Sequence, residues 1–417
     1  MVTGSIRAHW EAAAQLIART RDVLDARPGY ARTPAGDGEP DEAPAPLVTR
    51  GWDGFLLALT DERLEAFEAL GAAGDWADAP TTLSALVEEV RAVCALSPLT
   101  SNMATEAGRP ARRREGPRKR AQIDAFVRLV VPLAERARRV VDVGSGHGHL
   151  TRAIAERVDA PVVGLERDVA LAKRARGLST HGAAVFTVTD VLRDGLPLRS
   201  GDCVLGLHAC GELGDAMVAA VGAVEDPVSL ALVGCCPQKR RAVSRAPLVS
   251  GAATEDALTL PRSLLGLGNL TPRDDGVEAS RAENLAARRR RLALHRLLSA
   301  RLGTLRLGAE LDGLNRRAAH DDLDVLVGRA FALRGLRTPS ASEVIAADGW
   351  AHAAHARDRR LALPRSLLAN VLETFVALDR ALYLVNRGFD VQVGTLFDAE
   401  ASARNIAVAA EHGARRD

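Results

Sequence analysis

Aromatic residues make up only 3% of the 417 residues. So few argue against a surface on which bases stack one after another, as in single-strand binders. Lysine is scarcer still. Of 55 cations only Lys119, Lys173 and Lys239 are lysine and the other 52 are arginine, whose planar fork suits bidentate contact with phosphate or carboxylate. Genome composition produces the same bias, so the count alone assigns nothing. An excess of charge is missing too: 53 acids leave a net charge of +2. With no global pull on a polyanion, any such site must be local. The five cysteines, Cys94, Cys203, Cys210, Cys235 and Cys236, are odd in number and lack CxxC spacing. This excludes a disulfide framework and most zinc ribbons. No apolar run reaches the ~18 residues that a membrane span needs, and the N-terminal stretch is charged and helix-like. These absences lead us to expect a soluble, reduced, cytoplasmic protein with no membrane contact, no resident metal and no stable partner that the sequence identifies.

What is present falls into regions. Residues 34–46, rich in proline, glycine and acid, cannot bury enough to fold and read as a linker. Around it the helical spacing of Trp52, Phe55, Leu56 and Leu59, and of Leu83, Leu86, Val87, Val90 and Val93, predicts an N-terminal helical region over 1–110. A basic stretch follows at 111–120. From residue 139 strands alternate with helices: Val140 to Val143, Pro161 to Leu165, Ala184 to Val188, Cys203 to Leu207 and Ser229 to Gly234. That order predicts an α/β fold with a parallel sheet covered on both faces. A helical insertion is expected over about 245–385, broken at Gly335 to Pro339, before a last hairpin beginning at Phe389. The sheet domain is accordingly expected over 111–417.

The most informative stretch is Asp142-Val-Gly144-Ser145-Gly146-His-Gly148-His-Leu150, where a doubly wound fold places its ligand, at the carboxyl end of the first strand. A dinucleotide fingerprint would need glycine at His149. Glycine at 144, 146 and 148, with an acid two residues before, resembles instead motif I of S-adenosylmethionine-dependent methyltransferases. Glu166 ends the second strand, 22 residues after Gly144, where an acid can accept both ribose hydroxyls. Arg167 stands beside it. Asp190 and Val191 end the third strand, where these enzymes hold and cover the adenine. The resemblance thus implies S-adenosylmethionine as cofactor, held by Asp142, Gly144, Ser145, Gly146, Gly148, Leu150, Glu166, Arg167, Asp190, Val191 and His208.

Downstream, GLHACGEL (206–213), VGCCPQKR (233–240), ENLAARRRRLALHRLL (283–298) and LFDAEASARN (396–405) resemble segments of the methyltransferase-like protein 25 family, as does RKRAQIDAF (118–126) before motif I. A more distant similarity, in LHACGEL and the double cysteine, is to the tRNA acceptor-stem 2'-O-methyltransferase. The chain departs from the family in separating Ser97-Pro98 from the basic box and in placing Pro237 after the double cysteine. The resemblance implies a Rossmann-like, seven-stranded class I methyltransferase sheet, with the N-terminal helical region and helical insertion as additions.

Methyl transfer from an activated donor asks the protein to align a nucleophile and remove a proton. The ends of the fourth and fifth strands supply the candidate catalytic residues His208, Cys235 and Cys236. His208 suits a general base or, alternatively, lines the cofactor pocket. His208, Cys210, Cys235 and Cys236 also read as zinc ligands, but adjacent cysteines on a strand point to opposite faces, and small side chains beside a substrate are the preferred reading. No Asn-Pro-Pro-Tyr or Asp-Pro-Pro-Tyr is present, which disfavours methylation of a base amine. Candidate substrate contacts are Arg118, Lys119, Arg120, Gln122, Gln238, Lys239, Arg262 and Arg273. The expected acceptor is an oxygen or nitrogen of a macromolecule, RNA ahead of protein; a protein methyltransferase or a non-catalytic cofactor-binding module are the alternatives.

Overall fold

The computed structural model describes residues 3–28, 42–99, 116–179, 184–234, 236–249, 255–269, 280–306, 308–398 and 404–412. The chain groups into two compact units, one of residues 1–19, 93–266 and 371–417, the other of 20–92 and 267–370. This division differs from the one expected at residue 110. Helix Thr3–Arg19 belongs with the sheet, because Ile6, Trp10 and Ile17 are buried and Trp10 packs on Phe375 at 5.9 Å. Likewise the expected insertion gives back its last residues: helix Leu363–Val385 contributes its part from 371 onward to the sheet unit. Periodicity reveals that a helix has an apolar face without revealing what that face covers.

The first unit holds a seven-stranded sheet. Its strands are β1 (Arg139–Val143), β2 (Val162–Glu166), β3 (Ala184–Val188), β4 (Asp202–Leu207), β5 (Ser229–Val233), β6 (Phe389–Thr395) and β7 (Ile406–His412). Their order is β3-β2-β1-β4-β5-β7-β6, parallel from β3 to β5, with β7 antiparallel to both neighbours. Val140 pairs with Val162 on one side and Cys203 on the other. Short Val- and Leu-rich runs suit strands buried on both faces. β6 reads differently: Phe389, Val391 and Val393 are buried while the residues between them are exposed, as an edge strand with one covered face requires. One face of the sheet is covered by helix Pro117–Ala134, whose Ile123, Phe126 and Val130 pack with Val140, Cys203, Leu205 and Val233. The chain leaves β1 toward β2 and β3 but returns to β4 on the opposite side. This reversal opens a crevice at the carboxyl ends of β1 and β4, where open α/β sheets bind ligands.

The second unit is helical. Helices Arg281–Leu302 and Ala341–Leu361 both begin with capping boxes, Ser280 with Glu283 and Ser340 with Glu343, which satisfy N–H groups that the first turn leaves without partners. Leu294, Leu298, Leu326, Phe331 and Ala351 form its core. The expected helical run is interrupted at 303–322 as well as at the predicted break. Among the described residues no single helix is long and apolar enough to cross a membrane, although the consecutive helices Ala341–Leu361 and Leu363–Val385 together meet that length and composition.

Candidate active site

The turn after β1 is built on three left-handed glycines, Gly144 (φ 73°), Gly146 (φ 55°) and Gly148 (φ 70°), a conformation that costs other residues about 1–2 kcal/mol. The three serve different ends. A Cβ on Gly148 would lie 2.3 Å from the Phe186 ring, whereas one on Gly146 meets nothing closer than 4.0 Å and one on Gly144 only Leu213 at 3.6 Å. Gly148 therefore permits packing against β3, while Gly144 and Gly146 shape the turn and leave room in front of it. The turn is pinned to β2, since the N–H groups of Gly144 and Ser145 both donate to the Leu165 carbonyl at 2.8 and 3.0 Å.

Glu166, buried at the end of β2, accepts from Gly146 N–H and Asp168 N–H, each at 2.9 Å and each on a different carboxylate oxygen. A carboxylate offers about four acceptor positions, so two remain for a ligand. Ser145 Oγ is buried without a hydrogen-bond partner. Asp142 is fully buried and accepts from Thr151 Oγ1 at 2.6 Å. Burial pushes its carboxyl up to about 6 against the pull of the Thr151 hydrogen bond, and the Glu166 charge adds to the rise. Asp190 caps the short helix Val191–Asp194 by accepting from Leu192 N–H at 3.2 Å, and Val191 is buried behind it. Leu150 packs in the sheet core and Arg167 is exposed.

At the end of β4 stands His208, the one non-glycine residue with positive φ (66°) among the described residues. Its Nε2 meets Gln122 Oε1 at 2.9 Å. An amide oxygen can only accept, so the proton sits on Nε2 in this arrangement. Burial lowers the imidazole pKa. Cys236 opposes the shift, and Lys119 and Lys239 reinforce it. His208 is therefore neutral near pH 7 and has two lysine ammonium groups in its field. Cys210 Sγ donates to the His208 carbonyl at 3.1 Å, and Arg404 Nη1 donates to Cys236 Sγ at 3.1 Å. The loops after β4 and β5 touch at the backbone: a Cβ on Gly211 (φ 56°) would fall 1.8 Å from the Lys239 carbonyl oxygen. Ala242 N–H donates to Glu212 Oε1 across the same seam at 2.9 Å.

Gln122 thus meets His208 directly, and the charges of Lys119, Lys239 and Cys236 act on its ring. Gln238 lies on the same loop, its Oε1 buried without a partner and its side chain against Gly266. Arg118 and Arg120 are half-buried in the first turns of helix Pro117–Ala134, and Arg120 is directed to Asp124 at 3.8 Å. Arg262 is exposed on a separate short helix, and no contact ties it to His208. Cys235 and Arg273 lie outside the described residues. Among the described residues, no group of three or more His, Cys, Asp or Glu side chains is placed to hold a metal.

Sequence reasoning missed the ion cluster behind these loops. Asp215, on helix Glu212–Gly222, accepts from Arg240, Arg245 and Arg380 at 2.7, 3.1 and 2.9 Å. Arg245 also donates to the fully buried Asp379 at 2.7 Å, which in turn accepts from Leu248 N–H at 2.8 Å. Burial alone would raise the Asp215 carboxyl, yet Arg380 and Arg245 override it and hold the group well below the usual range. Arg380 Nη2 reaches the Gly211 carbonyl at 3.1 Å, so the cluster braces the loop that carries His208. The one local signal was Asp379-Arg380, two adjacent charges set among the apolar residues of the last turns of that helix.

Residues 118–242 match a family described as "Methyltransferase domain". The chain is also similar to solved structures. With a TehB-like SAM-dependent methyltransferase from Corynebacterium glutamicum it shares 16% identity over 26% of this chain and 62% of that one, at a TM-score of 0.22. With the 23S rRNA methyltransferase ErmE the values are 23%, 29%, 47% and 0.23. With magnesium protoporphyrin IX methyltransferase (ChlM) from Synechocystis PCC 6803, solved with bound SAH, they are 21%, 30%, 61% and 0.23. The chain spans about half to three fifths of the length of these structures. The sheet has the class I methyltransferase-like fold, and residues 118–242 match a methyltransferase domain. S-adenosylmethionine is the cofactor of that class, and the residues present fit it: an open glycine turn, a ribose-side carboxylate with acceptor capacity left, and a buried hydroxyl still lacking a partner.

Proposed function

We propose that the protein transfers a methyl group from S-adenosylmethionine to an oxygen or nitrogen of RNA. The observation that carries this reading is the contact of His208 with Gln122 at the carboxyl end of β4, with the positive charges of Lys119 and Lys239 acting on the ring. When bound, the cofactor supplies a methyl group already activated on a sulfonium, so the difficult chemistry is its own. Asp142, Gly144, Ser145, Gly146 and Gly148 would form its cradle, Glu166 would take the ribose hydroxyls, and Asp190 with Val191 would hold the adenine. Leu150 supports the cradle from behind, and Arg167 stands at its rim. Lys119 and Lys239, with Arg118 and Arg120 nearby in sequence, place positive charge where a phosphate of the acceptor strand would lie. Gln122 fixes the imidazole of His208. Its ring, neutral at pH 7, takes up the proton released by the acceptor. We assign Cys236 and Gln238 to the acceptor's side of the site, and Cys235, Arg262 and Arg273 to it on sequence position alone. The odd number of cysteines and their lack of CxxC spacing support a reducing, cytoplasmic setting.

The test is incorporation of labelled methyl from S-adenosylmethionine into a cell extract treated beforehand with RNase or with protease. Incorporation should be lost after RNase and kept after protease. Retention after RNase moves the acceptor to protein, and cofactor binding without incorporation into any extract identifies a non-catalytic module.

A further inference from the structure

Residues 396–405 join β6 to β7, and the two ends of this connection are tied together. Leu396 N–H donates to the Asn405 carbonyl at 2.9 Å, and Asn405 Nδ2 donates to the Phe397 carbonyl at 2.7 Å. The residue before Asn405 is thereby fixed at the mouth of the hairpin. It is Arg404. Its Nη1 donates to Cys236 Sγ at 3.1 Å, and its Nε faces Glu373 Oε1 at 3.4 Å, with the two side chains only 16% and 15% exposed. Gly234 and Pro237, which flank the double cysteine, line one cavity with Glu373, Arg380 and Arg404. Cys236 itself is half-buried, within reach of a small reagent.

An arginine N–H can only donate, and a neutral thiol is a weak acceptor. A guanidinium set against the sulfur therefore favours its ionised form, as cationic neighbours do for reactive cysteines. The other charged groups come from several elements. Lys239 follows on the same loop, its N–H donating to the Cys236 carbonyl at 3.0 Å, and its ammonium acts on His208 together with that of Lys119 from helix Pro117–Ala134. Arg380 lines the cavity but is committed to Asp215 and the Gly211 carbonyl. Glu373 opposes them across Arg404. We propose that Arg404 is a positioning residue that holds Cys236 as a thiolate on the acceptor's side of the site. The negative charge of Cys236 acts on His208 against burial and the two lysines. It thus favours the imidazolium that forms when the acceptor's proton arrives on Nδ1, Nε2 already carrying one. The sulfur makes no bond to the acceptor in this role. The effect on His208 rests on the methyl-transfer reading above, whereas the ionisation of Cys236 does not.

The experiment is alkylation of the full chain by iodoacetamide across a pH series, with modification of Cys236 read from the fragment masses of its peptide. In the wild type the midpoint should lie at about 7.5 or lower, in the range of thiols beside cations. Arg404→Gln should move it up toward the ordinary value of about 8.5 and slow alkylation at pH 6.5 several-fold, the lost thiolate being partly offset by its greater nucleophilicity. Arg404→Lys, which keeps the charge, should retain most of the wild-type rate. S-adenosylmethionine binding by Arg404→Gln should be unchanged, which marks an intact fold. In the methylation assay, Cys236→Ser should lower the pH midpoint of the acid limb, and adding Arg404→Gln to it should cost little further turnover, because Arg404 acts through the sulfur. A wild-type midpoint at about 8.5 or above overturns the proposal with no variant needed, as does an unmoved midpoint in Arg404→Gln. Losses of turnover that multiply in the double variant overturn the route through Cys236. The expected alkylation profiles without methyl incorporation would defeat the proposed function and leave the thiolate standing.

Discussion

Asp215 Oδ1 accepts from Arg380 Nε at 2.9 Å across 165 positions of sequence, and through this contact the helix after β4 is tied to the helix before β6. The pair belongs to a buried group of three arginines and two aspartates. Removing one member of such a group leaves uncompensated charge, which costs about 3–5 kcal/mol. Asp215→Asn should therefore lower the free energy of unfolding in urea by that amount. The sign with pH follows from the depressed carboxyl. Its contribution is fully present above the unfolded value of about 3.9 and is lost as pH falls through the folded value, so the wild type should lose stability in acid more steeply than Asp215→Asn.

Asp142 runs the other way. Its folded value of about 6 lies above the unfolded one, so the protonated form is favoured on folding. The stabilisation is fully present below about pH 4 and is lost as pH rises through 6. The rise is worth roughly 3 kcal/mol. Asp142→Asn keeps an acceptor for Thr151 Oγ1 and cannot ionise. In the absence of cofactor it should flatten the fall in stability between pH 4 and 7, measured by thermal unfolding at fixed salt. A slope identical to wild type would show that Asp142 does not titrate in this range.

The two glycine substitutions should separate shape from space. Gly148→Ala drives a methyl group into the Phe186 ring and should cost stability by several kcal/mol, as overpacking with added backbone strain does. Phe186→Leu should restore part of it. Gly146→Ala meets open space, so its stability cost should stay near the 1–2 kcal/mol of a left-handed residue. Its effect should appear in weaker S-adenosylmethionine binding by calorimetry. Equal losses of stability in the two variants would contradict this division.

Much of this was legible in the sequence, and the legible part has a common character. The strands of the parallel sheet, the glycine turn and the acids ending β2 and β3 are local signals: apolar runs, a spacing of glycines, a carboxylate at a fixed distance. The placement of Trp10 against Phe375 and of Asp215 against Arg380 depends on residues far apart in the chain, and no periodicity encodes that. The same holds for the two units, each assembled from separate stretches. Arg288 to Arg291 shows the intermediate case. Four consecutive residues cover a helical turn, which argued against one shared face. In the structure Arg288 indeed turns toward Glu68 and Arg359, Arg289 toward Asp348, and Arg291 toward Glu310.

His208 carries the sharpest catalytic test, because its two roles separate in two measurements. As the proton acceptor, His208→Ala should lower turnover about 10²- to 10⁴-fold while the Kd for S-adenosylmethionine changes by less than about threefold. As a wall of the cofactor pocket, it should lose binding and turnover together. The lowered pKa adds a second readout: activity should fall as acid protonates the ring, with a midpoint below the ordinary value of about 6.5. Gln122→Leu removes the oxygen that meets Nε2 and should lower turnover through a misoriented ring. Gln122→Glu, which can still accept from Nε2–H, should retain more activity and shift the acid midpoint upward, because a carboxylate stabilises the protonated imidazole. A midpoint that stays in place in Gln122→Glu would mean that a group other than His208 sets the acid limb.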